Sequence, residues 1–251
     1  MRINNITTVL IIITSFLFSC KSTQEKLIEY SLVQNHEAVT PVIQKAPWAQ
    51  SWWMERHNEI LDRNSKEETD LVFIGNSIIH HWEDTGKESW NRYFGKYNPV
   101  NMGFGGDQTQ HVLWRIENDE LENIKPKAAV IMIGTNNFSA GHSAEMIADG
   151  VIRIVSKIRK ELPDTKILLL DIFPRDSLNS PSRITNKNAS KIFAGISDNK
   201  HVFSKNINNI FLDNSGEIPS ELMPDKLHPN AEGYKLWADA IKNIVSDLAD
   251  Y

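Results

Sequence analysis

Cysteine is almost missing from this sequence, because Cys20 is the only one among 251 residues. An intramolecular disulfide and a cysteine-based zinc cluster are therefore excluded. An excess of one charge is missing too, since 27 basic and 32 acidic residues give a net charge of −5. Without a basic stripe, the sequence does not indicate a nucleic-acid partner.

Long apolar runs are also missing, except for one at 6–18 ("ITTVLIIITSFLF"), which is short for a membrane span. It follows a positively charged start ("MRINN") and precedes "FSC", as in a bacterial secretory signal. "LFSC" resembles a lipobox, in which Cys20 becomes the lipid-modified first residue. We predict a lipoprotein signal peptide over 1–20 and a lipid-anchored protein of the bacterial cell envelope, at the outer membrane or facing the periplasm. An uncleaved membrane anchor is the alternative.

The remainder divides into a short segment and one domain. Residues 21–46 show no sustained periodicity and are interpreted as a tether, and the domain is expected over 47–251. Trp48, Trp52 and Trp53 at its start are interpreted as packing residues rather than as a sugar-binding platform.

Apolar runs alternate with helical patterns along the domain. The runs lie at 71–74, 128–133 and 167–173, with weaker ones at 99–102 and 201–204, and the helical patterns lie at 107–118, 142–161, 183–197 and 231–249. Strands that are apolar throughout and separated by helices indicate a parallel sheet covered on both faces. The predicted fold class is α/β, a three-layer doubly wound sheet with its ligand site at the carboxyl ends of the strands.

Unusual residues follow these strands. They are "GNS" at 75–77, "NMGFGGDQT" at 101–109 and "GTNN" at 134–137, and "PDKLHPN" at 224–230 precedes the last helix. Each has an ordinary explanation taken alone, as a helix cap, a tight turn, an asparagine turn or a loop with an exposed histidine. Their occurrence together at strand ends favours a catalytic site.

The chemistry available to this set is acyl transfer. Ser77 needs a neighbouring base to become a nucleophile, His228 can be that base, and Asp225 can orient and stabilise the imidazole. The oxyanion would be bound by the backbone N–H groups of Ser77 and Gly106 and by the side-chain amide of Asn136. Glycine is expected at 106 because a side chain would keep the backbone from the substrate oxygen.

Other motifs are absent or weak. A G-x-S-x-G nucleophile elbow fails because Ile79 stands in place of its last glycine, and no dinucleotide or P-loop fingerprint occurs. His80 and His81 are adjacent, so they do not share a helix face, and we interpret them as packing residues or residues at the mouth of the site. Neither a metal nor an organic cofactor is expected.

At these residues the sequence resembles the SGNH, or GDSL, hydrolase superfamily, and most of all its branch similar to platelet-activating factor acetylhydrolase catalytic subunits. "GGDQTQHVLWRIENDELENIKPK" followed by "GTNN" carries the similarity, which extends over about 70–250. The resemblance implies a flavodoxin-like sheet, Ser77 as nucleophile, Asp225 and His228 as its partners, and Gly106 and Asn136 as oxyanion donors. Asn76 stands where the family has aspartate, outside the triad. The relatives pair as dimers, so a homodimer is one expected assembly.

The sequence therefore predicts a serine esterase that acts on short-chain esters, above all acetyl groups on carbohydrate, through an acyl-enzyme. One alternative is a hydrolase of phospholipid or longer acyl esters. The other is a non-catalytic glycan-binding lipoprotein.

Overall fold

The computed structural model describes residues 22–249, and within them the chain forms one parallel sheet. Its strands are β1 (Leu71–Gly75), β2 (Pro99–Gly103), β3 (Ala128–Met132), β4 (Lys166–Leu170) and β5 (Val202–Lys205). Their spatial order is β2-β1-β3-β4-β5, and every neighbouring pair is parallel. This is the flavodoxin-type order, so the predicted fold class is confirmed.

Every strand except β5, which lies at one edge of the sheet, buries both of its faces. In β1, Val72 and Ile74 belong to one core cluster, whereas Leu71 and Phe73 belong to the cluster on the other face. All five residues of β1 are buried. This double burial explains why the strands are apolar throughout rather than alternating.

Helices cover the two faces. They are α1 (Thr23–Val33), α2 (Trp53–Lys66), α3 (Ser77–His80), α4 (Lys87–Tyr93), α5 (Thr109–Glu117), α6 (Ala144–Glu161), α7 (Pro181–Phe193) and α8 (Ala231–Leu248). Residues of α5, α6 and α7 pack in the first cluster, and residues of α4 and α8 pack in the second. The two longest, α6 and α8, begin at polar caps: Ser143 accepts a hydrogen bond from Met146 N, and Asn230 from Gly233 N. In the described part of the chain, no helix is long and apolar enough to cross a bilayer.

The segment interpreted as a tether differs from that expectation. Residues 23–33 form α1, and Leu27 and Ile28 pack against the first core cluster. Arg153 of α6 donates hydrogen bonds to the carbonyls of Ser31, Gln34 and Val39, at 2.7–3.2 Å. The segment is thus bound along α6 rather than free. The predicted signal peptide and Cys20 lie outside the described residues.

Candidate active site

Ser77 begins α3, directly beyond the end of β1. Two glycines make this abrupt turn compatible with the sheet. A Cβ on Gly75 would overlap the Met132 carbonyl of β3, and a Cβ on Gly103 would overlap the backbone at Ile79 and His80. Since Gly75 lies beside Gly103 and Met132 in the strand register, the loops after β1, β2 and β3 start side by side.

The short helix α3 is held by two side chains that sequence reasoning missed. Asn101 Nδ2 donates to the carbonyls of Ile79 (2.9 Å) and His80 (3.1 Å), and Tyr234 Oη donates to the Ile78 carbonyl (2.7 Å). These carbonyls are helix-end acceptors that would otherwise need water or a cap. No local signal marks Asn101 or Tyr234, because their roles depend on β2 and α8 lying beside this turn.

Asn76 performs the capping that an aspartate would perform at this position. Its side-chain oxygen accepts a hydrogen bond from Ile78 N at 3.0 Å, and the residue is fully buried. Its Nδ2 has no hydrogen-bond partner among the described residues. The replacement of Asp by Asn therefore preserves the turn around Ser77 and leaves one buried donor unsatisfied.

The structure brings Ser77, His228 and Asp225, the three residues of the predicted triad, into one hydrogen-bonded chain. Ser77 Oγ is 2.9 Å from His228 Nε2, and His228 Nδ1 is 2.6 Å from Asp225 Oδ2. Burial alone would raise the pKa of Asp225, but the backbone N–H and the ring of His228 and the N–H of Leu227 lower it below its ordinary value. An ionised Asp225 can only accept, so Nδ1 is the donor, and Nε2 is left to accept from the Ser77 hydroxyl.

The loop that carries Asp225 and His228 is ordered by its own backbone. Asp225 Oδ1 accepts from the N–H groups of Leu227 (3.0 Å) and His228 (2.8 Å), which bends the chain so that both side chains face the same way. Lys226 has a positive φ of 57° within this turn. Asn230 then caps α8, so the loop leads directly into a long buried helix.

The glycine loop after β2 approaches the same edge. Gly106 has a φ of +74°, which favours glycine, and a Cβ there would overlap the Trp48 indole. The structure thus adds a second reason for glycine at 106: Trp48 lies directly against this backbone. The neighbouring Gly105 N donates to His80 Nδ1 at 3.3 Å.

His80 is kept neutral in this position. Burial and, second, the Arg56 guanidinium lower the pKa of His80 to about 4. A neutral ring is needed for Nδ1 to accept from Gly105, so the hydrogen bond and the lowered pKa agree. His80 is therefore a support of the glycine loop.

Asn136 and Asn137 in "GTNN" have different partners. Asn136 Nδ2 donates to the Asp107 carbonyl at 2.9 Å, which places this amide beside Gly106. Asn137 is fully buried, and its Oδ1 accepts from Thr109 N at 3.1 Å. The first asparagine thus binds the glycine loop next to Gly106, while the second ties the loop after β3 to the start of α5.

A cluster of buried charged side chains, which sequence reasoning also missed, holds the glycine loop through Asp107. Asp107 accepts from Trp53 Nε1 (2.7 Å) and from Arg115 Nε (3.0 Å), and all three side chains are buried. Arg115 also pairs with Glu120. Burial disfavours the charged guanidinium, but Glu120 and Asp107 outweigh it and raise the pKa of Arg115.

His81 completes the surroundings of His228, with ring centroids 5.0 Å apart. Burial, helped by the nearby His228 and opposed by Asp84, lowers the pKa of His81.

Among residues 22–249, no three His, Cys, Asp or Glu side chains are grouped so as to hold a metal ion. A cavity of about 750 Å³ lies at the opposite end of the sheet, lined by loops that precede β3 and β4. Hydrogen-bond geometry rather than cavity volume therefore locates the candidate site.

Comparison with known proteins identifies the class of this fold and site. The sequence model of the GDSL-like lipase/acylhydrolase family matches residues 73–236. The chain belongs to this family.

Particular relatives agree with the predicted branch. Platelet-activating factor acetylhydrolase IB subunit alpha1 from Pongo abelii is 34% identical over 197 residues, which cover 78% of this chain and 84% of the relative. Subunit alpha2 from Mus musculus is 34% identical over 200 residues, which cover 79% and 85%.

Solved structures show the same fold at low identity. A GDSL-like lipase from Bacteroides thetaiotaomicron superposes with a TM-score of 0.58 at 17% identity, and covers 76% of this chain and 97% of its own. An acetylxylan esterase from Geobacillus stearothermophilus superposes with a TM-score of 0.55 at 18% identity, and covers 72% and 96%.

Proposed function

We propose that this acylhydrolase is a serine esterase that removes acetyl groups from carbohydrate, with Ser77, His228 and Asp225 as its catalytic triad. The observation that carries the proposal is the continuous hydrogen-bonded chain from Asp225 Oδ2 through His228 to Ser77 Oγ. A serine hydroxyl aligned with a base, whose far nitrogen is oriented by a carboxylate, is the arrangement that activates a nucleophile.

In the first half of the reaction, Ser77 Oγ attacks the ester carbonyl carbon while His228 Nε2 takes the hydroxyl proton. The tetrahedral intermediate collapses, the bond to the alcohol oxygen breaks, and His228 returns the proton to that oxygen. In the second half, water attacks the acetyl-Ser77 carbonyl and gives a proton to His228. Ser77 then leaves, takes the proton back, and acetate is released.

The oxyanion formed in both halves would be bound by the N–H groups of Ser77 and Gly106 and by Asn136 Nδ2. The loops that bear them follow β1, β2 and β3, which are neighbours in the sheet. Asn136 already bonds to the carbonyl of Asp107, beside Gly106. Loss of one donor of this kind typically costs about 2.7–4 kcal/mol of transition-state stabilisation.

The choice of an acetyl group is supported by the names of the relatives. Both the acetylhydrolase subunits and the acetylxylan esterase are named for removal of an acetyl group. The acetylxylan esterase supports carbohydrate as the alcohol, whereas the acetylhydrolase subunits support the alternative, a phospholipid-like ester.

We further propose export and lipid anchoring at Cys20. Homodimer formation stays a prediction of the resemblance alone.

The test compares hydrolysis of p-nitrophenyl acetate, butyrate and octanoate by the wild-type protein and by Ser77→Ala. Acetate turnover that falls with chain length and drops at least about 1,000-fold in the variant is the expected result. A rate that rises with chain length would favour the long-acyl alternative. Turnover equal to that of the variant would instead favour a non-catalytic, glycan-binding protein.

A further inference from the structure

Two tryptophans at the start of the domain lie beside the candidate oxyanion loop. Trp48 is 54% exposed, yet its indole lies so close to Gly106 that a Cβ on that glycine would overlap it. Trp52 stacks against Trp48, with ring centroids 6.2 Å apart and planes inclined by 27°. Trp53, by contrast, is 1% exposed and binds Asp107. The interpretation of all three as packing residues therefore fits Trp53 but does not account for Trp48.

These rings continue as a row that ends at the proposed catalytic base. The aromatic row consists of Trp48, Trp52, His80, His81 and His228, with successive centroids 6.2, 5.7, 6.4 and 5.0 Å apart. Successive ring neighbours thus lead from the exposed Trp48 at one end of the row to His228 of the proposed triad at the other end.

Trp52 contacts Trp48 through both its ring and its N–H group. Trp52 Nε1 donates a hydrogen bond to the Trp48 carbonyl at 3.0 Å, and Trp52 lies between Trp48 and His80. Leaving a large indole exposed forgoes the stabilisation that its burial would contribute. A half-exposed indole that packs on a second tryptophan beside an active site offers a contact for a ligand.

The rings of the row offer a ligand a neutral aromatic surface. The lowered pKa values of His80 and His81 keep both rings neutral near pH 7. The nearby cation, Arg56, lies over the Phe104 ring behind Trp52 and is paired with Glu83 at 2.6 Å. A neutral aromatic face can stack on the apolar C–H face of a sugar ring and can also bind a quaternary ammonium, so the choice of a sugar rests on the proposed function.

Of the two halves of an acetyl ester, the alcohol is the larger and must lie toward solvent. Trp48 is the half-exposed side chain that contacts Gly106, one of the proposed oxyanion donors. We propose that the Trp48 indole, supported by Trp52, forms a subsite that stacks on the pyranose ring bearing the acetyl group. This assignment rests on the proposed function and specifies how its alcohol is bound.

The test is the ratio of kcat/KM on acetylated xylo-oligosaccharides to kcat/KM on p-nitrophenyl acetate, measured with the full-length protein. Trp48→Ala should lower this ratio about tenfold, mainly through KM, which is the effect of one lost aromatic contact. Trp48→Phe keeps a ring and should restore most of it. Tyr30→Ala, an exposed aromatic of α1, is the matched control and should leave the ratio unchanged.

The outcomes separate this inference from the proposed function. An equal decrease on both substrates in Trp48→Ala would overturn the subsite but leave the esterase intact. If the wild type cleaves p-nitrophenyl acetate but releases no acetate from the oligosaccharides, both the carbohydrate assignment and the subsite fail. A loss confined to an acetyl ester with a choline headgroup would overturn the pyranose as occupant.

A binding measurement keeps the inference testable even if turnover is affected indirectly. The Ser77→Ala protein, which cannot form the acyl-enzyme, is titrated calorimetrically with the same acetylated oligosaccharides. Addition of Trp48→Ala should weaken this binding about tenfold. Unchanged affinity would contradict a stacking role for Trp48.

Discussion

The charge state of His80 affects the position of the glycine loop in the candidate site. Its Nδ1 accepts from Gly105 N, so its neutral ring supports the loop that presents Gly106. Burial, with Arg56 as second cause, lowers the pKa of His80 to about 4, whereas an unfolded histidine titrates near 6.5. Below pH 6.5 the unfolded chain therefore binds a proton that the folded chain does not bind until about pH 4.

This linkage predicts that His80 makes stability depend on pH in a definite direction. The contribution is present above pH 6.5 and is lost progressively as the pH falls toward 4. His80→Gln should therefore show a smaller loss of stability between pH 7 and pH 5 than the wild type. The urea midpoint at the two pH values measures it. A loss as large in the variant as in the wild type would show that His80 does not titrate in this way.

At the scale of elements, the strands and their following loops could be predicted because they carry local signals. The apolar runs predict β1, β3 and β4, and the glycine, serine and asparagine after them mark the loops. The run at 167–173 is longer than β4, which ends at Leu170, because Asp171 begins the connection to α7. Asn101, Tyr234 and Arg115 could not be assigned roles, since their partners come from other elements.

The helix α1 was missed for a related reason. Leu27 and Ile28 face the core, but Tyr30, Leu32 and Val33 are exposed, so its apolar residues do not form the single stripe that predicts a packed helix. The attachment of this segment depends instead on Arg153, which binds three of its carbonyls. Such a contact leaves no pattern in the segment itself.

Gly150 of α6 tests how closely this segment is packed. A Cβ there would lie 2.5 Å from Thr109 Oγ1 and 2.8 Å from the Ala38 carbonyl, so α6, α5 and the segment approach one another at this point. Gly150→Ala should destabilise the protein by about 1–3 kcal/mol through overpacking, despite the better helix propensity of alanine. Urea unfolding measures the change.

Gly95→Ala provides the control, because a Cβ there meets nothing within 4 Å. It should leave the midpoint nearly unchanged. If Gly150→Ala were as stable as the wild type, the segment would have to be free to move away from α6.

For the whole molecule, the strand order determines where the site must lie. The chain forms β1, places β2 on one side of it, and then crosses to form β3 on the other side. Ligand sites in such sheets lie at this reversal, outside the carboxyl ends of the strands. Ser77 follows β1 and therefore stands at that position. Periodicity alone predicts the parallel sheet but not the order of its strands, which required the family resemblance.

The position of the body relative to the proposed anchor is also a property of the whole molecule. Because α1 begins at Thr23, a lipid on Cys20 would leave only Lys21 and Ser22 between the bilayer and a packed helix. The exposed side chains of Tyr30, Leu32 and Val33 lie on that helix. A lipid-anchored chain would therefore hold its body close to the membrane rather than at the end of a long tether.

Cys20→Ser tests the anchor. Since the proposed lipid would be attached through the Cys20 thiol, the variant should incorporate no labelled palmitate and should move from the membrane fraction to the soluble fraction of lysed cells. Ser77→Ala, made in the same background, should stay with the membranes, which separates anchoring from catalysis. A Cys20→Ser protein that remains in the membrane fraction would instead favour the uncleaved apolar run at 6–18 as the anchor.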